Sequence, residues 1–175
     1  MSTAVDRRPS PGEYAPYYDK YISRVVPGDI VAALGAQLET TLTQLRGIPE
    51  SKAGFRYAPE KWSIRELLGH VIDTERIFAY RALRFARGDK SPLAGFDQDS
   101  YVAEAGFESC SLAELITEFE QVRGSTILLF RHLAGEAWPR TGTANDAEVS
   151  VRALAYIIAG HELHHMEVLR AKYLA

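Results

Sequence analysis

The sequence predicts an all-α fold, a four-helix bundle with connections long enough to cross over. Three observations carry that expectation. Four segments repeat apolar residues at helical spacing, each has a recognisable start, and no stretch sustains the alternation and β-branched enrichment of a strand. At 175 residues the chain is expected to form one domain, 1–175, with 1–28 as an N-terminal arm.

The first helix is read from Ile30 to Leu45, with Asp29 as its N-cap after Pro27-Gly28 and with Leu34, Leu38, Leu42 and Leu45 on one face. A second opens at Ser63, where Ser63 and Glu66 make an S-x-x-E capping box, and continues to Arg87 before Gly88 stops it. The third repeats the device with Ser111 and Glu114, keeps Leu112, Leu115, Ile116, Phe119, Val122 and Leu129 on one face, and ends near Leu133 before Gly135. The fourth begins near Ser150 and runs almost to the last residue. The links Gly47–Trp62, Gly88–Cys110 and Glu136–Val149 are long for a plain up-down bundle. About ten extended residues span a helix of ~30 Å, so a crossover between parallel neighbours is allowed. Loops of this length are often functional. Asp97–Glu104 is expected as a short helix, and Tyr14, Tyr17, Tyr18 and Tyr21 are read as packing residues of an arm laid over the bundle.

Composition excludes more than it suggests. Apolar residues are 46%, charged residues 25%, and the formal net charge is −3. Lys and Arg are spread along the chain, which argues against a nucleic-acid partner held by phosphate neutralisation. The lone Cys110 rules out an internal disulfide and fits a reducing compartment. With no cationic neighbour to lower its pKa, it is read as a small residue preceding a helix, not as a nucleophile. Met1–Gly12 lacks the apolar run of a signal peptide, and no stretch approaches a membrane span, so a cytoplasmic protein with no membrane partner is expected.

Chemistry concentrates in His161-Glu162-Leu163-His164-His165. Read literally, His161, Glu162 and His165 form the H-E-x-x-H of zinc proteases, in which two His bind zinc and the Glu is general base. Those sites take a third protein ligand from downstream. Here only Glu167 follows, and it points to another side of the helix. A protease is therefore disfavoured, and a third ligand must come from earlier in the chain.

On a wheel of 100° per residue, Val151, Leu154, Ala155, Ile158 and Leu169 define an apolar stripe that contains His161 and His165, with His164 at its edge. Arg152, Glu167 and Arg170 fall opposite, where a solvated face is expected. The i,i+4 pair His161 and His165 is the better choice over His161 with His164. Single histidines on such a stripe are ordinarily satisfied core residues. Two of them a turn apart bury several polar nitrogens that need partners, and one shared cation satisfies both. His132, at the end of the third helix, is assigned a surface or helix-dipole role. His70 remains. It sits two turns into the second helix on the shoulder of Ile64, Leu67, Val71 and Phe78, and would complete a three-nitrogen site with an open side.

KWSIRELLGHVIDTERIFAYRALRFARG from Lys61 to Gly88, together with RALAYIIAGHELHHMEVLR near the C-terminus, resembles the DinB superfamily, which includes the YfiT-like metalloenzymes. The likeness runs over nearly the whole chain from EYAPYYDKYISRVVPGDI onward, and the W-S-x-x-E-x-x-x-H signature stands here as Trp62, Ser63, Glu66 and His70. The resemblance implies a four-helix bundle with unusual crossover connectivity. It also implies a divalent metal ion, zinc or nickel foremost, held by His70, His161 and His165, and a homodimer. It leaves the reaction open, since the family includes low-molecular-weight-thiol S-transferases, a thiol-dependent maleylpyruvate isomerase and hydrolases.

The first expectation is metal-dependent thiol S-transferase chemistry on a small electrophile, with a low-molecular-weight thiol as cosubstrate. A metal with an open position lowers the pKa of a thiol, and this route needs no protein base. Hydrolysis is the second expectation, and it needs a proton acceptor. Glu162 is the candidate catalytic residue, with Asp73 behind it; Glu162 could equally support a ligand imidazole or bond a neighbouring helix. Asp73 is otherwise a solvated helix residue, and Glu75 is expected to pair with an Arg or Tyr across the core. A stress-related binding module whose metal merely ties two helices together is the third reading.

Overall fold

A computed structural model describes residues 7–175; residues 1–6 of the expected N-terminal arm lie outside the described residues. The helices begin where their caps dictate. Asp29 Oδ1 accepts from the amides of Val31 and Ala32 at 2.8 and 3.1 Å and starts α2 (Ile30–Arg46). Both capping boxes form: Ser63 with Glu66 opens α3 (Ile64–Ala86), and Ser111 with Glu114 opens α5 (Leu112–Arg131). Ser150 Oγ accepts from Ala153 N at 3.0 Å and opens α6 (Val151–Val168), which continues as a π-helical turn over Leu169–Tyr173. Each such cap is worth about 1 kcal/mol. Two shorter helices join these four: α1 (Asp19–Ile22) in the arm and α4 (Gln98–Ala105), capped by Asp97 in the long link between α3 and α5.

Helix α3 packs on α5 and α6, and α2 packs on the same two, so the sequential pairs α2/α3 and α5/α6 lie across diagonals of the bundle. Two apolar clusters fix the directions. One joins Leu34 of α2, Phe85 of α3, Phe130 of α5 and the first half of α6; the other joins Leu45, Leu67, Leu115 and Met166 from the opposite ends. Helices α3 and α5 are therefore parallel neighbours, and their link must cross the length of the bundle. Between the clusters lies a buried polar layer that contains His70, Thr74, Glu75, Arg123, His161 and Glu162.

Two expectations need correction. A β-hairpin of β1 (Thr141–Ala144) and β2 (Ala147–Ser150) forms in the link where none was expected, and Leu93 bridges to its edge at Ala144. Its turn residues Asn145 and Asp146 have φ of 52° and 59°, the left-handed pair that suits a two-residue hairpin. The second concerns Arg152, placed on a solvated face but buried. It donates to Glu13 Oε1 at 2.7 Å and Oε2 at 3.1 Å, because the arm covers that side of α6 and leaves 151–162 buried all round.

Gly160 lets the arm approach. A Cβ there would run into the backbone carbonyl of Tyr21 at the end of α1. Gly160→Ala is expected to cost about 1–3 kcal/mol by overpacking, read as a fall in thermal midpoint of about 2–4 °C per kcal/mol. A midpoint unchanged within a degree or so would mean that α1 is not docked against α6 in this way.

Candidate metal centre

The start of α3 sets His70 in place. Ser63 N donates to Glu66 Oε2 at 2.7 Å, Glu66 also pairs with Arg56 at 2.6 Å, and the Trp62 ring lies against His70 with centres 4.6 Å apart. Tyr173 Oη donates to Trp62 O at 2.7 Å and ties this corner to the end of α6. Across the layer, one turn of α6 presents His161 and His165. Nε2 of His70 and Nε2 of His165 each lie 3.1 Å from Nε2 of His161, and the candidate ligand atoms of all three fall within 4.8 Å of one another. Thr74 Oγ1, 3.5 Å from His70 Nδ1, faces the ring nitrogen that points away from the cluster.

Three nitrogens facing one another make a poor hydrogen-bonded group, since one shared proton satisfies one contact and leaves the third atom an acceptor facing acceptors. A cation suits all three. Nitrogens ~2.0–2.1 Å from a metal stand about 3.4 Å apart in tetrahedral and about 2.9 Å apart in octahedral geometry. The 3.1 Å separations fall between these. Charge state suits ligation as well, because a ligand imidazole must be neutral. Burial pushes the His70 pKa down to about 4. Burial first, then the neighbouring imidazoles, holds His161 and His165 well below the usual histidine range.

This depression has a pH consequence. In the metal-free protein the unfolded imidazoles protonate near pH ~6.5, while the folded ones resist, His70 down to about 4. In that interval the unfolded state binds more protons, so stability is complete above it and falls as pH drops through it. Metal-free melts are expected to fall steeply between about pH 6.5 and about pH 5, and removal of one imidazole should reduce the slope by up to about 1.4 kcal/mol per pH unit. A slope unchanged in His70→Ala would contradict this.

Glu162, the expected catalytic candidate, is 1% exposed and engages Arg123 of α5 with Oε2. Glu75 takes the same guanidinium in two parallel bonds of 2.8 Å, the cross-core Arg pairing expected of it. Burial disfavours the Arg123 charge, but Glu75 and Glu162 outweigh it and raise its pKa. Asp73 is half-buried, 3.6 Å from Arg76, and is not on the cleft wall. His164 is half-buried, its ring 5.6 Å from that of Tyr21, and is not among the three grouped imidazoles. His132 caps the end of α5 at the surface.

A cleft of about 320 Å³ opens onto His70 and His161. Tyr17, Tyr18 and Tyr21 form one wall, so three of the arm's tyrosines do more than pack, and Tyr21 sets its edge against His161 with centres 5.3 Å apart. Phe78 and Arg81 continue the α3 face, and Phe96 and Asn145 close the far end. Sequence reading passed over Arg81 although a signal exists: eleven residues at 100° put it about 20° from His70 on the wheel.

The chain is thus a crossover helical bundle that groups three imidazoles, two of which line an open cleft. The sequence pattern of the DinB superfamily matches residues 33–169, and the chain belongs to that superfamily. Its fold is similar to that of YfiT from Bacillus subtilis, described as a probable metal-dependent hydrolase with an unusual four-helix bundle topology. The identity is 15%, over 97% of this chain and 95% of that one, with a TM-score of 0.68. A DinB-like protein of the same organism, YjoA, is 19% identical over 81% of this chain and 86% of its own, with a TM-score of 0.60. A mycothiol-dependent maleylpyruvate isomerase is 14% identical over 83% of this chain and 61% of its own, with a TM-score of 0.64. No curated protein matches the chain. No helix among the described residues is long and apolar enough to cross a membrane.

Proposed function

We propose that His70, His161 and His165 hold a divalent metal ion, and that the cleft above them carries out thiol S-transfer to a small electrophile. When bound, the ion supplies a Lewis acid with an open coordination position, which lowers the pKa of a thiol or of water. The observation that carries the choice is the absence, among the described residues lining the cleft, of a free carboxylate. Glu162 binds Arg123 through Oε2 and is not on the cleft wall, and Asp97, which is, accepts with Oδ1 from Ser100 N and Oγ at 2.8 and 2.7 Å, bonds that hold its pKa below the usual carboxylate range. Hydrolysis gains most from a general base at the site, whereas a thiol, which starts from a pKa of about 8.5, ionises on a metal with its proton released to solvent. The protein's own part is then to hold three neutral imidazoles in one place, to exclude water with the wall of Tyr18, Tyr21 and Phe78, and to orient the electrophile.

Likeness to YfiT favours the second reading, metal-dependent hydrolysis. Likeness to the mycothiol-dependent isomerase favours the first. The open cleft weighs against a closed, purely structural metal. Zinc or nickel is the proposed ion and a homodimer the proposed assembly, both tested on untagged protein by elemental analysis and sedimentation. A panel of low-molecular-weight thiols with a chromogenic electrophile, run beside an ester panel without thiol, separates the reactions. Thiol-dependent turnover lost on chelation is expected; turnover of esters alone, unaffected by thiol, would sink the transferase reading in favour of hydrolysis.

A further inference from the structure

We propose that the far end of this cleft binds the carboxylate of an elongated anionic reactant through Arg81. The inference deepens the proposed function, since it rests on the same cleft being the reaction site. Arg81 is 3% exposed yet lines the cleft. It stands three helical turns beyond His70 on one face of α3, a rise of ~16 Å, so a ligand reaching both ends must be extended.

What distinguishes Arg81 is its company. The chain buries three arginines among the described residues, Arg81, Arg123 and Arg152. Arg123 holds Glu75 and Glu162, and Arg152 holds Glu13. Arg81 forms no ion pair with a described carboxylate: Nη2 donates to Ala94 O at 2.8 Å, the Tyr18 hydroxyl interacts with the guanidinium, and the rings of Phe78 and Phe96 lie 5.3 and 5.9 Å from its carbon. Asp97, the carboxylate on the cleft wall, is spent on capping α4. A guanidinium carries five donors in a planar fork that matches a carboxylate, and burying one without a counter-charge is costly. An anion entering the cleft supplies that charge. Gln98 and Asn145, at the same end, add amide donors for a second oxygen.

The test uses the full chain with ω-mercaptooctanoate, its neutral analogue ω-mercaptooctanol, and octanoate added beside the mercaptoalcohol. Binding is followed twice: by the Arg81 Nε–Hε resonance in metal-free protein, and by the thiolate charge-transfer band in cobalt-loaded protein. The acid is expected to bind about tenfold to a hundredfold more tightly than the alcohol, the range for a charged hydrogen-bonded pair. That preference should vanish in Arg81→Gln and persist in part in Arg81→Lys. If Arg81→Gln fails to fold, the resonance shift in the wild type and in Tyr18→Phe carries the test. Acid preference in the mercaptan arm assigns the anion to the thiol; preference seen only with added octanoate assigns it to the second reactant. Equal affinity for acid and alcohol, or a preference that survives Arg81→Gln, overturns the proposal. A charge-transfer band without acid preference would leave the metal reading standing and remove only the anion site; a shifted Arg81 resonance with no band would do the reverse.

Discussion

Replacement of His70, His161 or His165 by Ala is expected to weaken divalent-metal binding by more than about a hundredfold each, whereas His132→Ala leaves it unchanged. The floor on that figure comes from outer partners: loss of a group that merely orients a ligand costs about 10–100-fold. Removing one of three nitrogens should cost more, because two imidazoles and solvent make a much weaker site. The three side chains hold their places by different means, His70 against Trp62 and Thr74, His161 in a fully packed stretch of α6, and His165 one turn on. Each deletion therefore tests the convergence separately. His164→Ala is the sharper control. Its ring centre is 5.0 Å from that of His165 on the same helix, yet it is not among the three grouped imidazoles, so it should retain metal. Competition with a chromophoric chelator measures the affinities, and far-ultraviolet circular dichroism separates loss of ligand from loss of fold. Equal retention in the wild type and all five variants would remove the metal centre from this bundle.

The helices could be read from sequence because their signals are local. A cap, a box and a 3.6-residue repeat are complete within one turn or a few, and the observed starts at Ile30, Ile64, Leu112 and Val151 follow directly from Asp29, Ser63, Ser111 and Ser150. The grouping of His70, His161 and His165 rested on the same periodicity, carried across two helices. What escaped is non-local. Arg152 looked solvated on a wheel, which knows nothing of the arm that brings Glu13 over it. The hairpin strands are four residues each, with Gly142, Ala144 and Ala147 weakening any strand signal; the Asn145-Asp146 turn was the readable cue. The tyrosines were read as packing because their cleft wall exists only once α1 lies on α6.

Arg123→Ala is expected to cost about 3–5 kcal/mol. The guanidinium is fully buried between two carboxylates that themselves are 3% and 1% exposed. Deleting it leaves Glu75 and Glu162 as like charges in a dry layer, the uncompensated situation that makes one-sided removal of a buried pair so expensive. For a chain of this size the thermal midpoint should fall by about 6–20 °C. Replacing the whole group by apolar residues, Glu75→Leu, Arg123→Met and Glu162→Leu together, should recover most of that loss, since the cost lies in the orphaned charges and not in the missing pair. Recovery of stability need not restore the site. Glu162 follows His161 directly, and its tie to α5 holds that turn of α6 against α3; the apolar triple variant is expected to fold yet to bind metal about 10–100-fold more weakly. Thermal melts with and without metal read both effects in one experiment. A triple variant that melts as low as Arg123→Ala would show that shape, not charge, governs this layer, and one that keeps wild-type metal affinity would show that the triad has no part in aligning His161 and His165.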